Sequence, residues 1–368
     1  MAQTSDPTGT SSTPDPEGVI SGAVLRLIRT QLDLSQEQIA EVLGVDANTY
    51  KSWETGRRPL PRISVQRLRA VTRTLTRLGT DPLLLDQIDT AIDVDLTIGQ
   101  ILTDGQNPAH HPLATLVHTR TWHDLLAWAL TGTRPSALRG LDGSIPKPRL
   151  AVTDRTRLFD SLRVTAERAG NDPSSTLLRR QVFYIASLDE ATGGRDWLAR
   201  QERLELRRLR PGDSWTPGWV AGRSLAVARA RQGDPDQLRH FIRTQLADDR
   251  QEAANLNYWA NWCGEDLRPA VTDDFMAGGD LGTWRGAGLL RHLVTGLDPA
   301  TPHVALTIHS VWALLGRRPW LLDDDHTLTT DLRLRVARLL DDLLPLGEQA
   351  RRELEQLQYA ARTRGRAA

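Results

Sequence analysis

Residues 35–58 read SQEQIAEVLGVDANTYKSWETGRR, a pattern that predicts two short helices joined by a tight turn. Ser35 stands just before an apolar-periodic run, with Gln36, Glu37 and Gln38 behind it. That is an N-cap signature, because a serine hydroxyl accepts a hydrogen bond from a free amide of the first turn. Ile39, Ala40, Val42 and Leu43 supply one buried face. Gly44 tolerates the left-handed backbone that a sharp helix exit needs, and the apolar Val45 plugs the turn. Asp46 is a second N-cap and opens a helix over residues 47–55, which Gly56 ends. Arg57 and Arg58 follow, and Pro59 and Pro61 prevent any continuation. Tyr50 and Trp53 are three apart and share a face, expected to point inward to Ile39 and Leu43. The opposite face shows Ala47, Asn48, Lys51 and Ser52.

That outward face has the chemistry of a major-groove reader. Asparagine makes a bidentate contact to adenine, lysine reaches the acceptors of guanine, and alanine packs on a thymine methyl. Arg57 and Arg58, beyond the helix, suit phosphates, which position a protein without reading sequence. Lys51 is one of two lysines in the chain, the other being Lys147, while every other basic side chain is arginine. Such usage fits the codon bias of a GC-rich bacterial genome.

Residues 21–79 resemble the phage-repressor-like helix-turn-helix domains of the Xre type. The resemblance rests on LRLIRTQLDLSQEQIAEVLGVDANTYKSWETGRRPL followed by the amphipathic RISVQRLRAVTRTLTRLG. The LSQ start, the IA pair, the LGV turn and the WExG exit stand in the family's order. It covers about a sixth of the chain and implies a bundle of four or five helices, the third being the recognition helix. By family position Gln36 would touch a backbone phosphate and Thr49 would lie near the sugar-phosphate wall. Ala47, Asn48, Lys51 and Ser52 would face base edges. The chain departs from the family at Tyr50, where a branched aliphatic is usual; the larger ring needs a partner for its hydroxyl and is expected to tilt the recognition helix.

Charge is distributed to match. Residues 21–79 hold ten Arg or Lys against five Asp or Glu, whereas residues 1–20 carry Asp6, Asp15 and Glu17 and no basic residue. The whole chain is neutral, with 46 residues of each sign, so positive charge is concentrated where DNA would need it. Its 368 residues predict two or three domains. The lone Cys263 excludes an internal disulfide and fits a reducing cytoplasm. No apolar run is long enough for a membrane span. The Ser/Thr/Pro/Asp-rich start lacks the basic and apolar regions of a signal peptide, and residues 1–18 are expected to be a disordered tail.

The expected division is therefore a helix-turn-helix domain at 19–80, an acidic linker at 81–112 and an all-helical dimerisation or sensing domain at 113–368. Within the linker, LLLDQIDTAI reads as a short helix that continues the first domain or packs at a partner surface, and the aspartates as a solvated face rather than a mimic of DNA. Beyond it, helix follows helix and almost nothing alternates with period two, so the fold class is all-α. Residues 215–263 resemble tetratricopeptide-like helical hairpins, with Ala226, Ala228 and Ala230 leading to a GDPD turn, but no clean 34-residue repeat appears. Ten of the 11 tryptophans lie beyond the first domain; Tyr258, Trp259 and Trp262 read either as core packing or as a pocket or partner surface. Leu354, Leu357 and Ala361 give the last helix an apolar stripe, open to pairing with its copy, and its basic end, Arg362, Arg364 and Arg366, suits DNA flanks; the reading favoured over either is a frayed, solvated terminus.

No catalytic constellation is legible. The nine histidines lack metal-ligand spacing with cysteine or carboxylates, no phosphate-binding glycine loop or nucleophile elbow occurs, and no cofactor is implied. Two RxxD stretches, Arg157–Asp160 and Arg210–Asp213, have a spacing that chance supplies in so Arg- and Asp-rich a chain. The reading is a non-enzymatic, cytoplasmic transcriptional regulator of the repressor-like type that binds double-stranded operator DNA as a homodimer. The alternatives are an antitoxin-like or developmental protein-interaction regulator, or a sensor whose C-terminal domain takes a small-molecule or peptide effector.

Overall fold

The structure, a computed structural model, describes residues 15–104, 107–138, 140–141, 146–170, 172–206, 215–266, 268–277, 281–282, 284–342 and 346–364. Among the described residues there is no strand; the chain is all-helical. Among the described residues, no helix is long and apolar enough to cross a membrane. It divides into two compact units, one of residues 1–104 with 121–160, the other of 105–120 with 161–368.

The first unit is built on five helices: α1 (Val19–Gln31), α2 (Gln36–Leu43), α3 (Ala47–Glu54), α4 (Val65–Arg77) and α5 (Pro82–Asp104). Their ends are set as the local sequence dictates. Ser35 and Gln38 form a reciprocal capping box on α2. Gly44 closes α2 at φ 64°, a left-handed conformation that glycine adopts without penalty. Asp46 caps α3 through the Thr49 amide at 2.8 Å, and Ser64 caps α4.

Two features place α3. A Cβ on Gly22 of α1 would lie 2.6 Å from the Trp53 carbonyl oxygen, and one on Gly18 would lie 2.8 Å from Gly56 Cα. Glycine thus lets the backbone of α1 touch the C-terminal end of α3. From α3, Tyr50 is fully buried, its ring edge-on to Trp53 at 6.3 Å and its hydroxyl donating to Leu25 O of α1 at 3.4 Å. The partner that a tyrosine demands at this position is therefore a helix carbonyl, and burial pushes the phenol's pKa far up. Ile39, Ala40 and Leu43 are buried, but Val42, expected on the same face, is 48% exposed. At 100° per residue it lies on the flank of the stripe that the other three define.

The segment 81–112, read from its aspartates as an acidic linker, holds the 23-residue α5, which packs on α1. Its aspartates are not all a solvated face. Asp95 is fully buried and accepts from Ile20 N at 3.0 Å and Ser21 N at 2.9 Å, capping α1 from another helix. Asp93 accepts from Trp122 Nε1 at 2.8 Å. Of the expected tail, residues 1–14 lie outside the described residues, whereas Asp15 caps a 3-10 turn over Pro16–Gly18. Asp15 and Glu17 both pair with Arg62 at 2.9 Å. The unit also takes in most of α6 (Arg120–Thr131) and the start of α7 (Val152–Ala169), so it reaches past the boundary expected at residue 113. On α7, Arg157 of the first RxxD stretch pairs with Asp154; the second, Arg210–Asp213, lies outside the described residues.

The second unit runs through α8 (Thr176–Ala186), α9 (Thr192–Leu206), α10 (Pro217–Arg231), α11 (Asp236–Gln245), α12 (Asp249–Trp262), α13 (Ala287–Thr295) and α14 (Val304–Arg317). The short α15 (Leu321–Asp324), then α16 (His326–Asp341) and α17 (Glu348–Arg364) complete it. Helices α10 and α11 pack together across the expected turn, where Gly233 sits at φ 92°. Helix α10 is buried nearly all round and also touches α8 and α9. Leu354, Leu357 and Ala361 are buried where α17 packs on α14 and α16, so that stripe is filled within the chain. Arg362 is exposed; the Arg364 side chain and Arg366 lie outside the described residues.

Two measurements test the first unit. Gly22→Ala forces α1 away from α3 and is expected to cost about 1–3 kcal/mol by denaturant unfolding; an unchanged midpoint contradicts the close approach. Burial, outweighing the bonds from Ser21 and Ile20, holds the Asp95 carboxyl at about 7. Its native pKa is thus raised above the unfolded value, so its contribution is full below pH about 4 and lost as pH rises through about 7. Wild-type stability relative to Asp95→Asn is expected to fall across that window, and a pH-independent difference contradicts it.

Candidate nucleic-acid interface

Helix α3 has a held side and an open side. Beyond Tyr50 and Trp53, its last residue Glu54 turns inward, with a side chain only 2% exposed. Arg29 Nε of α1 donates to Glu54 Oε1 at 2.6 Å, and Arg29 Nη1 donates to Leu34 O at 2.8 Å. Gln36 Nε2, at the start of α2, donates to Glu54 Oε2 at 2.6 Å. One carboxylate therefore ties α1, α2 and α3 together, and the charge-assisted bonds are of the strong kind. Gln36, expected at a phosphate, is turned back onto this carboxylate.

On the open side, Asn48 and Lys51 are exposed and Ala47 and Ser52 half-buried. All four project from one face of α3, as the spacing requires. Neither the Asn48 amide nor the Lys51 ammonium has a hydrogen-bond or ion-pair partner among the described residues, so both are available to a ligand. Ser52 differs. Its hydroxyl donates to Asn48 O at 2.7 Å, leaving it an acceptor toward anything in front of it. Thr55, which the sequence reading passed over, is exposed one turn beyond Lys51 and donates to Lys51 O at 2.8 Å. Its signal was its position four residues after Lys51.

Thr49 and Arg58 are linked to each other. The Thr49 hydroxyl donates to Asp46 Oδ2 at 2.5 Å and accepts from Arg58 Nη1 at 3.4 Å. The Thr49 hydroxyl and amide hold the Asp46 carboxyl below the usual carboxylate range, and Arg58 adds to the effect. Arg58 is further fixed by its own amide, which donates to Ser52 O at 3.1 Å. Arg57 is exposed and makes one contact, donating through Nε to Thr55 Oγ1 at 3.3 Å. It is the freer of the two cations at the helix end. Arg67 of α4 donates to Gly44 O at 2.8 Å, adding a charge beside the turn between α2 and α3.

The arrangement is a short helix held by one buried face, showing a donor-acceptor amide and an ammonium, with guanidiniums at its end. Residues 22–88 match the family model of a helix-turn-helix domain, a span from within α1 to within α5. No curated protein and no solved structure matches the chain.

Arg29→Ala leaves the buried Glu54 without its cation and is expected to destabilise the first unit by about 3 kcal/mol, the lower end for a broken buried pair because Arg29 is partly exposed. Denaturant unfolding reads this, and a loss below about 1 kcal/mol, the scale of a surface pair, contradicts the role assigned to Glu54.

Proposed function

We propose that this chain is a DNA-binding transcriptional regulator in which α3 enters the major groove. The observation that carries the reading is the outward face of α3, where Asn48 and Lys51 stand exposed and unengaged. Asn48 and Lys51 read base edges, with Ala47 and the acceptor Ser52 beside them. Arg57 and Arg58, and Thr49 through Arg58, meet the phosphate wall, and Gln36 reaches a phosphate once it releases Glu54. A helix of eight residues reads few base pairs. The regulator therefore acts as a homodimer on a palindrome, with half-sites about one helical turn apart. The second unit supplies dimerisation or effector control, and the protein acts in the cytoplasm without catalysing a reaction. The Trp- and Arg-rich interior of that unit favours a small-molecule effector over a protein one.

Selection of genomic fragments by the purified protein, beside the Asn48→Ala/Lys51→Ala double variant, tests the whole reading. Wild-type protein alone is expected to enrich a shared palindrome; no enrichment, or equal enrichment by the variant, contradicts it. On the selected site, Asn48→Ala or Lys51→Ala is expected to cost about 1–3 kcal/mol, with little change on random DNA. Arg57→Ala is expected to weaken all sequences alike and reduce the salt slope by about one unit, and an unaltered slope removes Arg57 from the phosphate contacts.

A further inference from the structure

Arg223, in the middle of α10, is 2% exposed. Its guanidinium lies 3.8 Å from the Tyr258 ring centroid and 5.1 Å from that of Trp259. Its Nε donates to Asn255 Oδ1 at 2.8 Å, and Asn255 is held in turn by a 2.9 Å bond to Ser310 Oγ. Its Nη2 is buried without a partner. Among the described residues no carboxylate pairs with it. The neighbouring Asp273 is taken by Arg180, which donates to it through Nε at 2.8 and 2.9 Å. Burial lowers the Arg223 pKa to about 10 against the opposing effect of Tyr258, and Arg180 adds to the lowering. A buried cation that lacks a carboxylate partner is costly, even with the Tyr258 and Trp259 rings against it.

Further cations surround it. Arg231, two turns along α10, lies 4.7 Å from the Tyr184 ring centroid and donates to the Tyr184 hydroxyl at 2.9 Å. Tyr184 meets Trp262 edge-on at 5.2 Å, and Trp262 stacks on Tyr258 at 6.1 Å. On the other side of Arg223, Trp259 stacks on His303 at 6.0 Å. His303 Nδ1 is also buried without a partner. Burial, then Arg231, Arg223, His292 and Arg120, drive the His303 pKa down to about 3. Those neighbours are all cationic or basic. While Arg223, Tyr258 and Trp259 are buried, Arg231, Tyr184, Trp262 and His303 are half-buried, so solutes can reach the outer members.

We propose that this cluster binds the phosphate group of a small phosphorylated molecule, with Arg223 Nη2 and Arg231 as its cationic contacts and His303 Nδ1 as a further one. Two guanidiniums without carboxylate partners call for about two negative charges, which a phosphate monoester brings and a monocarboxylate does not. Guanidinium geometry suits its oxygens. The half-buried aromatic rings of Trp262 and Tyr184 suit a planar ring on the same molecule. The inference deepens the effector reading of the second unit, but binding at the cluster does not require DNA, so the two fail separately.

The test uses the full chain, with tryptophan fluorescence and thermal unfolding as readouts. The probes are inorganic phosphate, adenosine 5′-monophosphate, adenosine and benzoate, with sodium chloride at matched ionic strength. Phosphate and the nucleotide are expected to quench fluorescence and raise Tm by about 2–8 °C at saturation, with no response to adenosine or chloride. A nucleotide affinity roughly tenfold above that of phosphate identifies a ring-bearing ligand; equal affinities identify phosphate itself. Arg223→Met is expected to abolish the response while keeping or raising the ligand-free Tm, since a buried cation without a partner is replaced by a well-packed apolar chain. If Arg223→Met does not fold, Arg231→Gln decides, with an expected loss of about tenfold or more in affinity. The proposal is overturned if neither phosphate species binds, if benzoate binds as well as phosphate, or if the substituted protein that folds responds like wild type.

Discussion

The position of α3 depends on a contact between two backbones. Gly22 of α1 leaves no room for a side chain between its own Cα and the carbonyls of Trp53 and Glu54, and Gly18 meets Gly56 in the same way. Side chains can repack around a mutation, but two backbones in contact have no such freedom. The tilt of α3, and with it the direction in which Asn48 and Lys51 leave the surface, follows from this approach. Tyr50 is accommodated within it, fully buried with its hydroxyl on Leu25 O.

Helix α1 is in turn fixed from outside the motif. Asp95 of α5 receives the Ile20 and Ser21 amides, two of the donors that every helix leaves free at its start. The Glu54 carboxylate performs a comparable task at the other end, gathering Arg29 from α1 and Gln36 from α2. Two buried carboxylates, both drawn from stretches that look like ordinary polar sequence, thus bracket the helix against which α3 rests.

What was legible in the sequence was local. Ser35 with Gln38, Gly44 at the turn and Asp46 before α3 act within a few residues of themselves, so spacing alone reveals them. The outward set of Ala47, Asn48, Lys51 and Ser52 follows from helical period. Asp95 was not legible, because its partners lie 74 and 75 residues away and its neighbours are other aspartates. Gln36 and Thr49 were placed by resemblance, but the resemblance did not show that both are already bonded within the domain. In the second unit, nothing in the spacing around Arg223 separates it from the surface arginines; only burial does. The stripe of Leu354, Leu357 and Ala361 was open to a second copy or to a frayed, solvated end, and spacing did not show that its cover comes from α14 and α16.

The cap that Asp95 places on α1 bears on how the helix-turn-helix can be moved. The family match ends at residue 88, short of Asp95 and of Asp93, which receives Trp122. A fragment cut at the limits of the motif would carry the whole outward face of α3, yet it would lose the first turn of α1, Ile20 and Ser21 included, and most of α5 with Asp95. Such a graft would keep its vocabulary but lose its posture. Transplanting this helix-turn-helix into another protein therefore means carrying α5 whole, well beyond the stretch that a motif boundary would mark.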